Sequence, residues 1–237
     1  MKYISILFLA TTFSCNVVMD KHVEGNGASK KETRNITGFS HIAVSGNFEV
    51  TLQQGDGFKV ELEADANLLS YIETRKHDLE LEINEKGGYN LDSKHPIKIF
   101  IQMPKVDEIS MSGAGIIKGS AAIENSDKLE LNIGGSGEME LQVKSPKIDL
   151  EIGGSGKATL TGSTRDFKVS IGGSGDCLAE ELLSENCKIS IGGSGTARVY
   201  ASVKLNASIG GSGDVYYGGT PTVTQSVGGS GSIQPIK

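Results

Sequence analysis

Residues 132–141, Asn-Ile-Gly-Gly-Ser-Gly-Glu-Met-Glu-Leu, set four small residues between two short alternating stretches. The tetrapeptide Gly134-Gly135-Ser136-Gly137 returns as Gly153-Gly154-Ser155-Gly156, Gly172-Gly173-Ser174-Gly175 and Gly192-Gly193-Ser194-Gly195. It returns twice more, as Gly210-Gly211-Ser212-Gly213 and Gly228-Gly229-Ser230-Gly231, each time directly after Ile or Val. Counted from one final glycine to the next, the steps are 19, 19, 20, 18 and 18 residues, and a degenerate copy ending at Gly115 precedes Gly137 by 22. Repeats of this period belong to solenoids.

The flanks alternate strictly. Leu129, Leu131 and Ile133 precede one corner and Met139, Leu141 and Val143 follow it, and the pattern recurs at Phe167, Val169, Ile171 and at Ala197, Val199, Ala201. A period of two describes strands with one buried face. Each repeat therefore reads as strand, glycine corner, strand, variable corner, with like positions stacked about 4.8 Å apart on successive coils. Glycine suits such a corner because it permits positive φ and has no Cβ to strike the coils above and below. The corner serines are expected to stack and donate their hydroxyls along the ladder. The expected fold is all-β: a parallel β-helix, or β-solenoid, of about 18–22 residues per repeat, after a less regular β-rich N-terminal part.

The phase also places the cysteines. Cys187 falls in the inward column with Phe167 and Leu205, and Cys177 in that of Ala158 and Ala197. They sit at opposite ends of adjoining strands, roughly 15 Å apart, so two buried thiols are expected rather than a disulfide.

The chain carries a formal charge of −6 over 237 residues, which argues against electrostatic nucleic-acid binding, since that needs a cationic footprint. It has no Trp and only 5% aromatic residues, so the core must be aliphatic. Lys2, the apolar run Ile4–Ala10 and Ser14-Cys15 have the layout of an export signal, too short for the ~20 residues a membrane span needs. The small residue before Cys15 resembles a bacterial lipoprotein signal, in which Cys15 is lipidated, although Thr12 stands where Leu is usual. The chain divides into a signal over 1–15, a polar tether over 16–35, a β-rich part over 36–105 and the repeat solenoid over 106–237. Within 36–105, Ile42–Val44 and Phe48–Leu52 form a pair around Ser45-Gly46-Asn47, Ala66–Ile72 is the one helical turn, and 84–96 reads as a mobile loop.

Phe39, Ile42-Ala43-Val44-Ser45-Gly46, Phe48-Glu49-Val50, Gly55-Asp56, Glu63-Ala64-Asp65 and Asn67-Leu68-Leu69, with the later small-residue corners, resemble the putative auto-transporter adhesin, head GIN domain family. The similarity runs over roughly 36–235. It implies a right-handed β-helix in exported proteins, many of them lipoproteins of Bacteroidota, with no established activity.

Any chemistry of a solenoid surface must sit at its outward positions. Just after the glycine corner they run Glu138, Lys157, Asp176, Thr196, Asp214, a ladder of largely alternating charge. Before the corner, Glu130 adjoins Asp149, a like pair that would raise a carboxylate pKa or take a cation unless it is solvated surface. The four histidines show no ligand spacing, and GGSGD at 172–176 resembles a calcium-binding repeat only superficially, its period and Asp position being wrong. No catalytic residue, metal or cofactor is assigned. Arg198 with Tyr200 and Tyr216 is the one outward aromatic-plus-cation group, suited to stacking on a sugar or a peptide. The expected function is that of a non-catalytic exported lipoprotein, lipid-anchored to the cell envelope through Cys15, whose rigid surface serves adhesion, ligand binding or scaffolding. Its partners would be the membrane and a glycan or surface protein. The alternatives are a carbohydrate-active β-helix enzyme and a self-assembling envelope protein.

Overall fold

The computed structural model describes residues 20–236; the signal segment and Cys15 lie outside the described residues. Over the described residues the protein is all-β, 65% strand, with a β-solenoid of about 6 turns. Glu138–Ile152, Lys157–Ile171, Asp176–Ile191 and Thr196–Ile209 each run from one glycine corner to the next and bend midway. They pair in parallel, side by side. The alternation read from sequence sets the register: Ile133, Ile152, Ile171, Ile191, Ile209 and Val227 form one column. The five isoleucines are buried, whereas Val227 on the last coil is 43% exposed. A coil cannot enclose its own aliphatic face, so its stability depends on its neighbours.

The corner is held by main chain. Ser155 N–H donates to Gly135 O at 3.0 Å, Ser174 N–H to Gly154 O at 3.0 Å and Ser212 N–H to Gly193 O at 3.0 Å. The ladder that the serine hydroxyls were expected to make is therefore a backbone ladder. The tetrapeptide's glycines also differ in role. A Cβ on the second glycine, as at Gly154, Gly173 or Gly211, would collide with the carbonyl oxygen of the equivalent residue one coil below. A Cβ on the fourth would meet the glycine carbonyl beneath it, 2.7 Å away at Gly156. The first glycine has open space: the nearest atom to a Cβ at Gly153 is Ile133 O at 4.0 Å. None of these glycines adopts positive φ, which within the repeat region occurs instead at Gly113, Gly162 and Gly219. Close approach, not conformational freedom, explains the repeat.

The second corner, expected to be merely variable, carries its own column. Ser145, Thr164 and Ser184 are register partners and all buried. Ser145 Oγ donates to Lys147 O at 2.9 Å and Thr164 Oγ1 to Asp166 O at 3.3 Å, so each hydroxyl satisfies a carbonyl at the bend.

Before the repeats the stack continues. His41–Ser45 lies between Glu80–Glu85 and Glu108–Ser112, and Glu49–Gln54 between Lys98–Met103 and Ile116–Gly119, all in parallel. The two stretches around Ser45-Gly46-Asn47 are thus two sides of one coil, not a pair bonded to each other. Antiparallel strands then close the end: Lys59–Asp65 on Lys98–Met103, Ser29–Arg34 on Lys59–Asp65, and Ile72–His77 on Glu80–Glu85. The helical turn expected in 66–72 is the 3-10 turn Leu69–Tyr71.

The polar tether expected over 16–35 instead contains strands Lys21–Glu24 and Ser29–Arg34. The loop 84–96, expected to be mobile, contributes Tyr89–Asp92, which pairs with Lys21–Glu24. Asp65 is what pins it. Its buried carboxylate accepts Lys94 N–H at 2.8 Å and Ser93 Oγ–H at 3.3 Å, and lies 3.0 Å from His95 Nδ1. These bonds, that to His95 foremost, hold the Asp65 carboxyl below its ordinary value.

Two outcomes are expected. Gly154→Ala should cost about 1–3 kcal/mol by forcing a methyl against backbone, while Gly153→Ala should stay within about 0.5 kcal/mol; equal denaturant midpoints for the two variants would contradict the corner packing. A carboxyl lowered by folding contributes stability above its unfolded pKa of about 3.9 and loses it as pH falls through the folded value. Asp65→Asn should therefore flatten the acid limb of a melting-temperature profile below about pH 4, and an unchanged limb would show that another group titrates there.

Candidate functional site

The face that follows the glycine corners carries the residues singled out from sequence. Its first outward column runs Glu138, Lys157, Asp176, Thr196, Asp214 in register, and its second runs Glu140, Thr159, Leu178, Arg198, Tyr216. Coil-to-coil ion pairs run along these columns. Lys157 Nζ contacts Glu138, and Lys118 Nζ lies 2.8 Å from Glu140. Hydrogen bonding to these carboxylates raises both ammonium pKa values above their ordinary range.

Arg198 and Tyr216 are register partners, and the guanidinium carbon stands 5.5 Å from the centre of the Tyr216 ring. Arg198 Nε also donates to Glu180 Oε1 at 3.0 Å. The cation therefore already has a carboxylate and an aromatic face, an arrangement that orients the half-buried Tyr216 ring. Tyr200 is brought elsewhere. It is the register partner of Gly218, and its ring lies over Gly218 and Gly219, where a Cβ at Gly218 would be 3.2 Å from Tyr200 Cδ2. The three residues named from sequence thus divide into a stacked pair and a ring that covers backbone.

The like pair Glu130–Asp149 is opposed in register as expected. Lys128 Nζ sits between the two, 2.7 Å from Glu130 and 2.9 Å from Asp149, and its own pKa is raised by both carboxylates. A lysine occupies the position where a cation would be needed, so the expected acidic site is a closed ion triad.

Cys177 and Cys187 are both free and buried. Burial pushes the Cys177 thiol far above its ordinary value. Burial also pushes Cys187 up to about 11, against a lowering contribution from Ser184, whose Oγ lies 2.9 Å from Sγ. The thiolate is the nucleophile of cysteine chemistry, and burial disfavours that form of both residues.

Sequence reading missed Asp65 and its partner His95. Asp65 was visible only as part of a family-like Glu-Ala-Asp stretch, and contacts across 30 residues have no periodic signature. It also missed the buried hydroxyl column at Ser145, Thr164 and Ser184, although a small hydroxyl residue recurs there in phase on three coils. The expected outcome for the thiols is that brief iodoacetamide treatment of native protein leaves Cys177 and Cys187 unmodified, whereas treatment after denaturation alkylates both. Rapid native labelling of either, read by peptide mass, would contradict the burial.

Comparisons with known proteins agree with this architecture. A putative adhesin from Bacteroides fragilis superposes with a TM-score of 0.86 at 21% identity, over 90% of this chain and 100% of that one. A putative lipid binding protein from Parabacteroides distasonis gives 0.77 at 25% identity, over 92% and 100%. A putative adhesin from Parabacteroides merdae gives 0.72 at 24% identity, again over 92% and 100%. No curated protein matches the chain. The family model described as "Putative auto-transporter adhesin, head GIN domain" matches residues 38–221. With that match spanning most of the solenoid and its closing strands, the chain belongs to the putative auto-transporter adhesin, head GIN domain family.

Proposed function

We propose that the chain is a non-catalytic exported protein, anchored to the cell envelope by a lipid on Cys15, whose solenoid offers a rigid surface for adhesion or ligand binding. The observation that carries this reading is the flat, in-register face itself. Outward side chains on successive coils form continuous columns, and acidic groups on the face after the glycine corners are paired, Glu138 with Lys157, Glu140 with Lys118 and Glu180 with Arg198. Catalytic carboxylates need perturbed pKa values in a cleft, whereas these are neutralised along a flat sheet. The naming of relatives as adhesins and, in one case, as a lipid-binding protein supports a binding role. No helix among the described residues is long and apolar enough to cross a membrane, so attachment would fall to the lipid.

The self-assembly alternative finds less support. The coil at Thr222–Val227 and Ser232–Pro235 pairs on one side only, through Thr196–Ile209 and Asp214–Gly218. Its edge is blunted. Gln225 occupies an inward column position opposite Ala207, and Pro235 has no N–H to offer a further strand.

Two measurements test the proposal. Cys15→Ala should move the protein from the membrane to the released fraction and abolish incorporation of a labelled fatty acid; membrane retention with label intact would overturn the anchor. Purified chain should bind ligands on a glycan and surface-protein array without generating new reducing ends from polysaccharides. Sustained release of reducing ends would favour the enzyme instead.

A further inference from the structure

The other face of the solenoid, formed by the sides that precede the glycine corners, is not neutralised. One of its columns runs Glu80, His41, Glu108, Glu130, Asp149, Lys168, Lys188, Asn206 in register. Its charge changes sign at Asp149–Lys168. The adjacent column runs Lys147, Asp166, Asn186, Lys204. Four exposed lysines, Lys147, Lys168, Lys188 and Lys204, therefore share a patch spanning four coils and line one shallow groove of about 260 Å³.

These lysines have no carboxylate partner among the described residues. Elsewhere the chain pairs lysines readily: Lys31, Lys59, Lys94, Lys105, Lys118, Lys128, Lys144 and Lys157 all lie within 4.0 Å of an Asp or Glu. Both acids that line the groove have partners of their own. Asp149, opposite Lys168, is held by Lys128 at 2.9 Å, and Asp166, beside Lys147, by Arg165 at 2.8 Å and Asn186 at 3.0 Å. Lys168 and Lys188 stand directly opposite each other about 4.8 Å apart, a placement that destabilises a sheet when nothing compensates it.

We infer that this patch is a binding site for an anionic glycan, a chain bearing carboxylate or sulfate groups. The inference rests on reading the solenoid as a binding surface and names the ligand class. Four cations in rows about 4.8 Å apart and columns about 6.6 Å apart match repeated anionic groups better than a single ion. The remaining outward positions supply hydrogen-bonding partners for hydroxyls: Asn186 and Asn206 beside the lysines, and Ser170, Ser190 and Ser208 in the next column. The outward positions of these columns are polar or charged, and the exposed Val203 beside Lys204 is a single side chain, too little to insert into a bilayer. A second copy of the chain is a poorer fit, because the acids at the other end of the face, Glu130 and Asp149, already hold Lys128. Glu80 and Glu108, further along the same column, would confine the ligand to the C-terminal coils by repulsion.

Heparin, unsulfated dextran and phosphatidylglycerol vesicles serve as probes for the purified full chain. Native protein should bind heparin but not dextran, with affinity falling as salt rises. Lys168→Gln/Lys188→Gln should weaken heparin binding by about tenfold or more, while Lys30→Gln/Lys76→Gln, remote from the patch, should leave it unchanged. The patch variant should melt no lower than native protein, because a repulsive pair has been removed. Equal heparin affinity in the patch variant, no heparin binding, lysine-dependent binding to the vesicles in preference to heparin, or a lysine-dependent dimer by light scattering would each overturn the inference. Binding to neutral glycans that is indifferent to the lysines would overturn it while leaving the adhesion reading intact.

Discussion

Backbone lies on backbone at the glycine corner, and the stacked region depends on that contact. A carbonyl from one coil occupies the space that a Cβ of the next would need, at the second and fourth positions of the tetrapeptide. Only glycine meets that condition without moving a neighbour. Once the corners stack, the register follows, and the alternation of each strand sends every second side chain into a shared aliphatic interior. The isoleucine before each corner illustrates the coupling. Its Cγ2 on one coil lies against the fourth glycine of the next, so the column of branched side chains and the column of glycines fit each other.

A regular stack makes its surface regular too. Outward residues form lines of like position, and each line is either internally neutral or a concentrated charge. One face is neutralised by pairs such as Glu138–Lys157, and the Arg198–Tyr216 stack sits within it as a satisfied unit. The opposite face turns from acidic to basic along its length. Such an arrangement favours recognition through repeated, shallow contacts over chemistry in a cleft. It also suits a member of the family described as "Putative auto-transporter adhesin, head GIN domain".

The repeat region was largely legible from the residues. Period-two alternation around phase-locked small corners reported the inward columns, the outward columns and the burial of both cysteines, because each depends only on position within the repeat. The register pairing of Arg198 with Tyr216 was legible for the same reason, while the Glu180 partner of Arg198 and the seating of Tyr200 over Gly218 were not. The N-terminal part was harder. Its strands pair across long separations and partly antiparallel, so the segment taken as a tether looked polar although Ser29–Arg34 lies against Lys59–Asp65. The Asp65 clamp and the Lys128 triad needed three-dimensional placement, since each joins side chains whose spacing follows no repeat.

Cross-linking of stacked positions tests the account most directly. Glu140 and Thr159 are register neighbours on adjoining coils, so their Cα atoms should lie about 4.8 Å apart, inside the range that a disulfide bridges. Oxidation of Glu140→Cys/Thr159→Cys should give a rapid intramolecular disulfide, while Glu140→Cys/Leu178→Cys, two coils apart, should give none. Failure of the first pair, or equal bridging by both, would contradict a column of coils held in register by its corners.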